Sequence, residues 1–525
     1  MFSKGFLEGH CGHRSLPSQP PVSQFIALGS PVRVKSVLLL LLLSLTAAVR
    51  FAHPQSSNIQ VTERQPVDIT QLVAWLTSGV SSNRLAHLVK ECGLATLPTH
   101  KELRQLAAVG AGKDLMTVVR SGDVQSARIA APIPAGLLAA FAETRQQHFK
   151  EAEAGLREAL GADAQNSALH FALGTLYRQQ EQWDEAFDEL SQATRLRPDL
   201  AENHSALAYL FYRLDDGPNA IAEARTALSI DPQNAEAYQY LGLGLYSNGQ
   251  YEAAFHAYAE ALARDPANPD TYYDLGIALH AGGKPTPAIA AYEHAIRLRP
   301  AFWEAHSNLG LVLHENGDLA QAVAQYREAR RIAPGEATIQ NNLGNTYCDQ
   351  GNYDLAIQEL RALYRQHPEW QQGHACLASA YVAKKNYGAA VDELRLALLQ
   401  NPTGPNEHRI LGQVLLLNNK PEEALRELRL AVSLNPDSDM AHHLLGTVLF
   451  QQQQLNAAEK EFREALRLNA SADNHYALAA CLMSLYRNEE ALSELELASR
   501  LDPERPLYRA RREELIKVMK ETNLR

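Results

Sequence analysis

The residues of this chain best able to make or break bonds are its histidines and paired carboxylates, and their spacing argues against such chemistry. His280 and His314 stand 34 residues apart in equivalent surroundings. An ion held between them would need further ligands, and no carboxylate or cysteine completes the set. His442 and His443 are adjacent, and adjacent residues on a helix point apart. Asp215-Asp216 and Glu489-Glu490 read as turn residues that cap helix ends and stay solvated. No glycine-rich loop follows a strand pattern, and no nucleophile stands with a base. The chain is therefore expected not to be an enzyme, with no catalytic residues, no cofactor and no metal.

Five cysteines, Cys11, Cys92, Cys348, Cys376 and Cys481, form no C-x-x-C pair and no zinc spacing. They read as small buried hydrophobes. A bridge between Cys348 and Cys376 would join neighbouring structural units at different heights, a geometry that disfavours it.

The elements that must position everything else come from one pattern that recurs every 34 residues. A Leu-Gly or Leu-Ala pair is followed thirteen residues after the Leu by Ala, and twelve further on by Pro. Examples are Leu241-Gly242 with Ala254 and Pro266, and Leu309-Gly310 with Ala322 and Pro334. Each unit reads as two helices. The first carries the pair and an apolar residue four positions on, such as Leu245 or Tyr347. The second carries a large residue between small ones, as in Ala254, Tyr258 and Ala261. Small residues let two helix backbones approach, and the large one fills the groove beside them. Turns such as Asn248-Gly249-Gln250 end the first helix, and the Pro closes the second. Asn268-Pro269 reopens the next with a capping side chain and a first-turn proline.

This period and these residues resemble the tetratricopeptide repeat family over roughly two-thirds of the chain. The resemblance implies an all-α fold: a right-handed α-solenoid superhelix of about eleven helix-turn-helix units. Ten start at 133, 167, 201, 235, 269, 303, 337, 371, 405 and 439, and the last starts at 472. The first is degenerate, keeping Phe149, Ala152, Leu156 and Ala159 without the Leu-Gly pair, and the tenth is one residue short.

In that family the first helices line a concave groove that binds extended peptides or partner helices. The candidates are then the second, fifth, sixth, ninth and twelfth residues of each unit. In the early units these include Glu202, Tyr209, Tyr212, Glu236, Tyr240, Tyr246, Asp270, Tyr273 and Asp274. In the middle units they include Glu304, Ser307, Asn308, His314, Asn341, Asn342 and Asn345. Tyrosine offers a rigid apolar face with one polar tip, and asparagine can pair with the N-H and C=O groups of a peptide backbone. Asn308 and Asn342 match the asparagine ladder of glycosyltransferase members of the family, but only as two neighbours preceded by Asp274. Arg409 is the one match to the basic clamp of chaperone-associated members, and its neighbours do not complete it. The expected partner is a protein or peptide, extended, and basic or aromatic in part. The alternative is an accessory subunit of glycan or polysaccharide export or envelope assembly, its aromatics stacking on sugars.

Composition narrows the partners further. Residues 1–48 hold four basic groups and one acidic group, so the remainder carries 45 basic against 59 acidic side chains, a net charge of −14. A nucleic-acid partner is not expected, because phosphate backbones are gripped by clustered Lys and Arg.

The organisation along the chain follows. Residues 1–48 read as a secretory signal region: Val37 to Val49 is an apolar run of 13 residues behind Arg33 and Lys35, with small residues favouring cleavage after Ala48. Translation is expected to begin near Val32 or Val34. The protein is thus expected to be periplasmic or secreted. The alternative is anchoring in the inner membrane by residues 37–49, the only membrane contact foreseen. Residues 49–66 form a polar, disordered linker, 67–120 a small helical module, 121–132 a second linker, 133–505 the array and 506–525 a capping helix. In the module, Thr99 and Glu102 form a capping box. In the capping helix Leu507, Leu515, Val518 and Met519 are expected to face inward, because an array needs a polar cap at its open end.

Overall fold

A computed structural model describes residues 65–121 and 132–523. The signal region, most of the first linker and the start-codon expectation lie outside these residues. Among them 27 helices and no strands are found, consecutive helices packing in tandem pairs. No helix among the described residues is long and apolar enough to cross a membrane. They divide into two compact units, 65–312 and 313–523, each taken by itself below.

The N-terminal unit opens with four helices: α1 (Ile69–Thr77), α2 (Ser82–Cys92), α3 (His100–Ala108) and α4 (Lys113–Ser121). Local chemistry sets their ends. Asp68 and Gln71 close a capping box on α1, Ser81 caps α2, and Thr99 with Glu102 closes the box on α3. Trp75, Leu72, Leu85 and Leu115 are fully buried at the centre of this module.

The array begins with Ala135–Arg145 and Phe149–Ala162 and ends with Ala472–Ser484 and Asn488–Leu501. Within a repeat the glycine of the Leu-Gly pair sits against the large residue of the second helix. A Cβ on Gly242 would lie 2.6 Å from the Tyr258 ring, and one on Gly446 would lie 2.7 Å from Phe462. Such distances leave no room for any side chain, so glycine here sets how closely the two helices pack. All eleven inter-helix turns place one residue at positive φ. It is glycine in four of them (Gly249, Gly283, Gly317, Gly351) and Gln147, Glu181, Asp215, Lys385, Asn419, Gln453 and Tyr486 in the rest. The left-handed position is therefore a demand of the turn and is met even where no glycine is supplied, at a cost in backbone strain.

A second device recurs that the 34-residue pattern alone did not disclose. In six repeats a histidine near the start of the first helix reaches a glutamate 19 residues on, in the second helix: His170–Glu189, His204–Glu223, His374–Glu393, His408–Glu427, His442–Glu461 and His475–Glu494, all at 2.6–2.7 Å. In four of these the other ring nitrogen meets a backbone carbonyl six residues earlier, as His442 Nε2 meets the Pro436 carbonyl at 3.0 Å. The imidazole thus ties both helices of a repeat to the loop before it. His443, pointing away from its neighbour, bonds Asn474 Oδ1 at 2.8 Å instead.

Two expectations are corrected in the C-terminal unit. Cys348 and Cys376 form a disulfide with Cα atoms 6.1 Å apart. The sequence reading set them at different heights. The first helices of these two repeats pack directly on one another, Ala337–Asp349 against His374–Ala383. They are offset along their axes, so the twelfth residue of one repeat meets the sixth of the next. Cys92 and Cys481 are free and buried. In the last helix, Pro506–Asn523, Leu507 and Val518 are 44% and 47% exposed, whereas Tyr508 and Leu515 are buried. Helical periodicity explains this, since the inward stripe runs through 508, 512, 515 and 519 and leaves 507 and 518 to its side. Tyr508 anchors the helix by donating to Asp473 Oδ1 at 2.6 Å.

Candidate partner-binding face

The first helices of the N-terminal unit carry most of the candidate residues, and the module already covers part of that face. Helix α1 packs on Ser167–Gln179, the first helix of the second repeat, leaving Ser167 through Tyr177 buried except His170. From α2, Arg84 reaches into the third repeat. Its Nε lies 2.5 Å from Glu202 Oε1 and its Nη1 lies 3.0 Å from Asp231 Oδ2. Glu202 is therefore 3% exposed and engaged within the chain. Arg197 completes the seat by donating to the Gln65 carbonyl at 3.1 Å.

Beyond the module two clusters follow. In the first, the Arg178 guanidinium lies 5.0 Å from the centre of the Tyr209 ring, a cation–π arrangement, and within electrostatic reach of Tyr240 and Glu236. Tyr209 and Tyr240 stand 5.3 Å apart. The Tyr240 hydroxyl donates to Glu236 Oε1 at 2.9 Å. Burial, then the Glu236 charge, pushes Tyr240 well above the usual phenol range.

The second cluster comprises Tyr212, Tyr246, Tyr273 and Asp274, all half-buried. Gln239 donates to Asp274 Oδ2 at 2.7 Å. Burial raises the Asp274 carboxyl to about 7, opposed by the Gln239 bond and reinforced by the Asp270 charge. Behind them lies Tyr258, fully buried with a hydroxyl that meets no partner among the described residues. Tyr273 packs against Phe302 at 4.9 Å.

The remaining candidates differ in burial. Asp270 forms a two-pronged pair with Arg299 at 2.8 and 2.6 Å. Ser307 and Asn308 are buried, while Glu304 is half-buried. In the C-terminal unit His314 Nε2 pairs with Asp349 Oδ2 at 2.5 Å, Asn341 is buried, and Asn342 and Asn345 are half-buried. Arg409 is bonded to Asn406 of its own helix. The candidate set thus resolves into two tyrosine–carboxylate clusters and a group of amides of which Asn308 and Asn341 are sealed.

Arg178 and Gln239 hold candidate places of their repeats but were not singled out by the sequence, and Arg84 lies outside the array. Arg178 occupies the twelfth place of the second repeat, as Tyr212 and Tyr246 do in the next two, so extending the same series one repeat earlier would have found it.

Tandem helix pairs, without strands among the described residues, define an α-helical repeat fold. Models of the tetratricopeptide repeat match residues 273–337, 377–439, 410–473 and 443–506, and 313–380, and a TPR repeat model matches 174–215 and 242–283. The chain belongs to the tetratricopeptide repeat family, and its repeats mark it as a protein–protein interaction scaffold. No curated protein matches it by sequence. Among solved structures, Pseudomonas aeruginosa PilF is 24% identical, covering 41% of this chain and 96% of its own, with a TM-score of 0.36. Yeast Tom70 is 15% identical, covering 73% and 94%, with a TM-score of 0.31. MamA from Desulfovibrio magneticus is 17% identical, covering 32% and 95%, also with a TM-score of 0.31.

Proposed function

We propose that this chain is a non-enzymatic scaffold of the bacterial envelope that holds an extended protein segment, basic or aromatic in part, on the first helices of its third to fifth repeats. One observation carries the reading. The module seals the first helix of the second repeat, whereas Tyr212, Tyr246, Tyr273 and Asp274 beyond it stay half-buried, with rings and a carboxylate still reachable. Rigid aromatic faces with polar tips favour protein contact.

The envelope reading draws on the apolar run at 37–49 and on the Cys348–Cys376 pair, since disulfides persist in oxidising compartments. The protein is either released after Ala48 or held at the inner membrane by residues 37–49.

Photo-cross-linking in the full chain tests the binding face. A cross-linker at position 212 or 246 should capture a protein segment that one at the outward-facing position 225 does not. Equal capture at all three positions, or none at 212 and 246, would refute the assigned face.

A further inference from the structure

The two clusters on the first helices are the same site one repeat apart. In the first, Arg178 is the twelfth residue of its repeat, Tyr209 the ninth of the next, and Tyr240 and Glu236 the sixth and second of the one after. Advancing every member by 34 residues gives Tyr212, Leu243, Asp274 and Asp270. In the earlier cluster a guanidinium rests on an aromatic ring beside a carboxylate. In the later one the arginine has become a tyrosine, and an acid stands where Tyr240 stood.

Among the described residues no cation replaces the missing arginine. Asp270 is matched by Arg299, as Glu202 is matched by Arg84. Asp274 receives only the neutral Gln239 amide on Oδ2, and Oδ1 meets no donor among the described residues. An unpartnered polar group backs the same place: the Tyr258 ring lies over Gly242, and its fully buried hydroxyl is within electrostatic reach of Asp274. A carboxylate among aromatic rings attracts a cation through charge and through the ring faces together.

We propose that Asp274, with Tyr212 and Tyr246, receives the ammonium or guanidinium of a lysine or arginine side chain from the bound protein segment. This rests on the binding face proposed above and names the side chain that the face selects. Arg178 is the internal counterpart of that side chain one repeat earlier. Lys and Arg both satisfy the charge, and the planar guanidinium can also stack on a tyrosine.

The test uses the full chain on an array of short synthetic peptides, each paired with a version in which every Lys and Arg is Gln. Wild-type protein should retain the basic peptides and bind their Gln versions about tenfold more weakly. Asp274→Asn should erase that preference while still binding the Gln versions. Tyr212→Arg, which rebuilds the earlier cluster and supplies an internal cation, should erase it as well. Capture of peptides with no preference for Lys or Arg, or a preference that survives both substitutions, overturns this proposal and leaves the binding face standing. Capture of no peptide at all overturns the face, and this proposal with it.

Discussion

Arg84 and Glu202 lie 118 residues apart in sequence and 2.5 Å apart in space. That pair is the seat of the N-terminal module on the array, and it leaves two carboxylates, Glu202 and Asp231, dependent on one guanidinium. Arg84→Ala is expected to lower stability by about 3 kcal/mol, because buried carboxylates without a counter-charge are costly. Arg84→Lys should recover part of the loss, since an ammonium cannot span both acids as a guanidinium does. Thermal melts measure the size of the effect. Limited proteolysis should cut residues 65–121 sooner in the Ala variant than in wild type.

The disulfide gives a second expectation. Cys348→Ser should lower stability by about 3–4 kcal/mol, the loop-entropy value for a separation of 28 residues. Peptide mapping of non-reduced protein should recover Cys348 joined to Cys376, with Cys92 and Cys481 free. Recovery of all four as thiols from protein purified under oxidising conditions would contradict the pairing.

Asp274 makes stability depend on pH in a definite direction. Its folded carboxyl titrates near 7, above its unfolded value, because of burial and the Asp270 charge. The groups facing it are Gln239, Asp270, Tyr212, Tyr258 and Tyr273, none of them cationic. Between the unfolded and folded values the native state holds a proton that the unfolded chain has released. The favourable contribution is therefore present at low pH and lost as pH rises through 7. Asp274→Asn should melt higher than wild type at about pH 8 and alike at about pH 4. Identical melting curves at both would rule out the raised carboxyl.

The histidine braces should be worth more than surface contacts. His442→Ala removes the partner of Glu461 and of the Pro436 carbonyl together, and is expected to cost about 1–3 kcal/mol. Glu461→Gln keeps an acceptor oxygen and should cost less. Urea denaturation of the two variants distinguishes a brace from a solvent-facing pair, for which both changes would be near neutral.

Tyr486 offers a test with the opposite sign. It holds the left-handed turn position at φ 60° with a side chain that is 90% exposed. Tyr486→Gly relieves that strain without losing packing, and should raise stability by up to about 1 kcal/mol. The equivalent change cannot help at Gly249, where glycine already stands.

How much was legible beforehand differs between kinds of residue. The period, the helix pairs and the Asn268 cap could be read directly, because they depend on neighbours a few residues away. The histidine brace is present in the sequence as a fixed interval of 19, but a polar pair that bridges two helices leaves no mark in the hydrophobic period. Asn308 and Asn341 have the chemistry of a binding surface but are sealed, which residue type cannot disclose. Leu507 and Tyr508 show the reverse: helical phase, more than hydrophobicity, decided which was buried.

The sequence by itself determined that this protein is a run of helix pairs with glycine where two helices touch, since hydrogen bonds within a helix and contacts within a repeat are local. Only the tertiary structure decided that Arg84 occupies the acids of the third repeat, that Cys348 meets Cys376, and that Asp274 stands without a cation. Those relationships depend on the axial offset between successive first helices and on how the module is seated. Both are set by packing summed over many side chains, and no single stretch of residues encodes them.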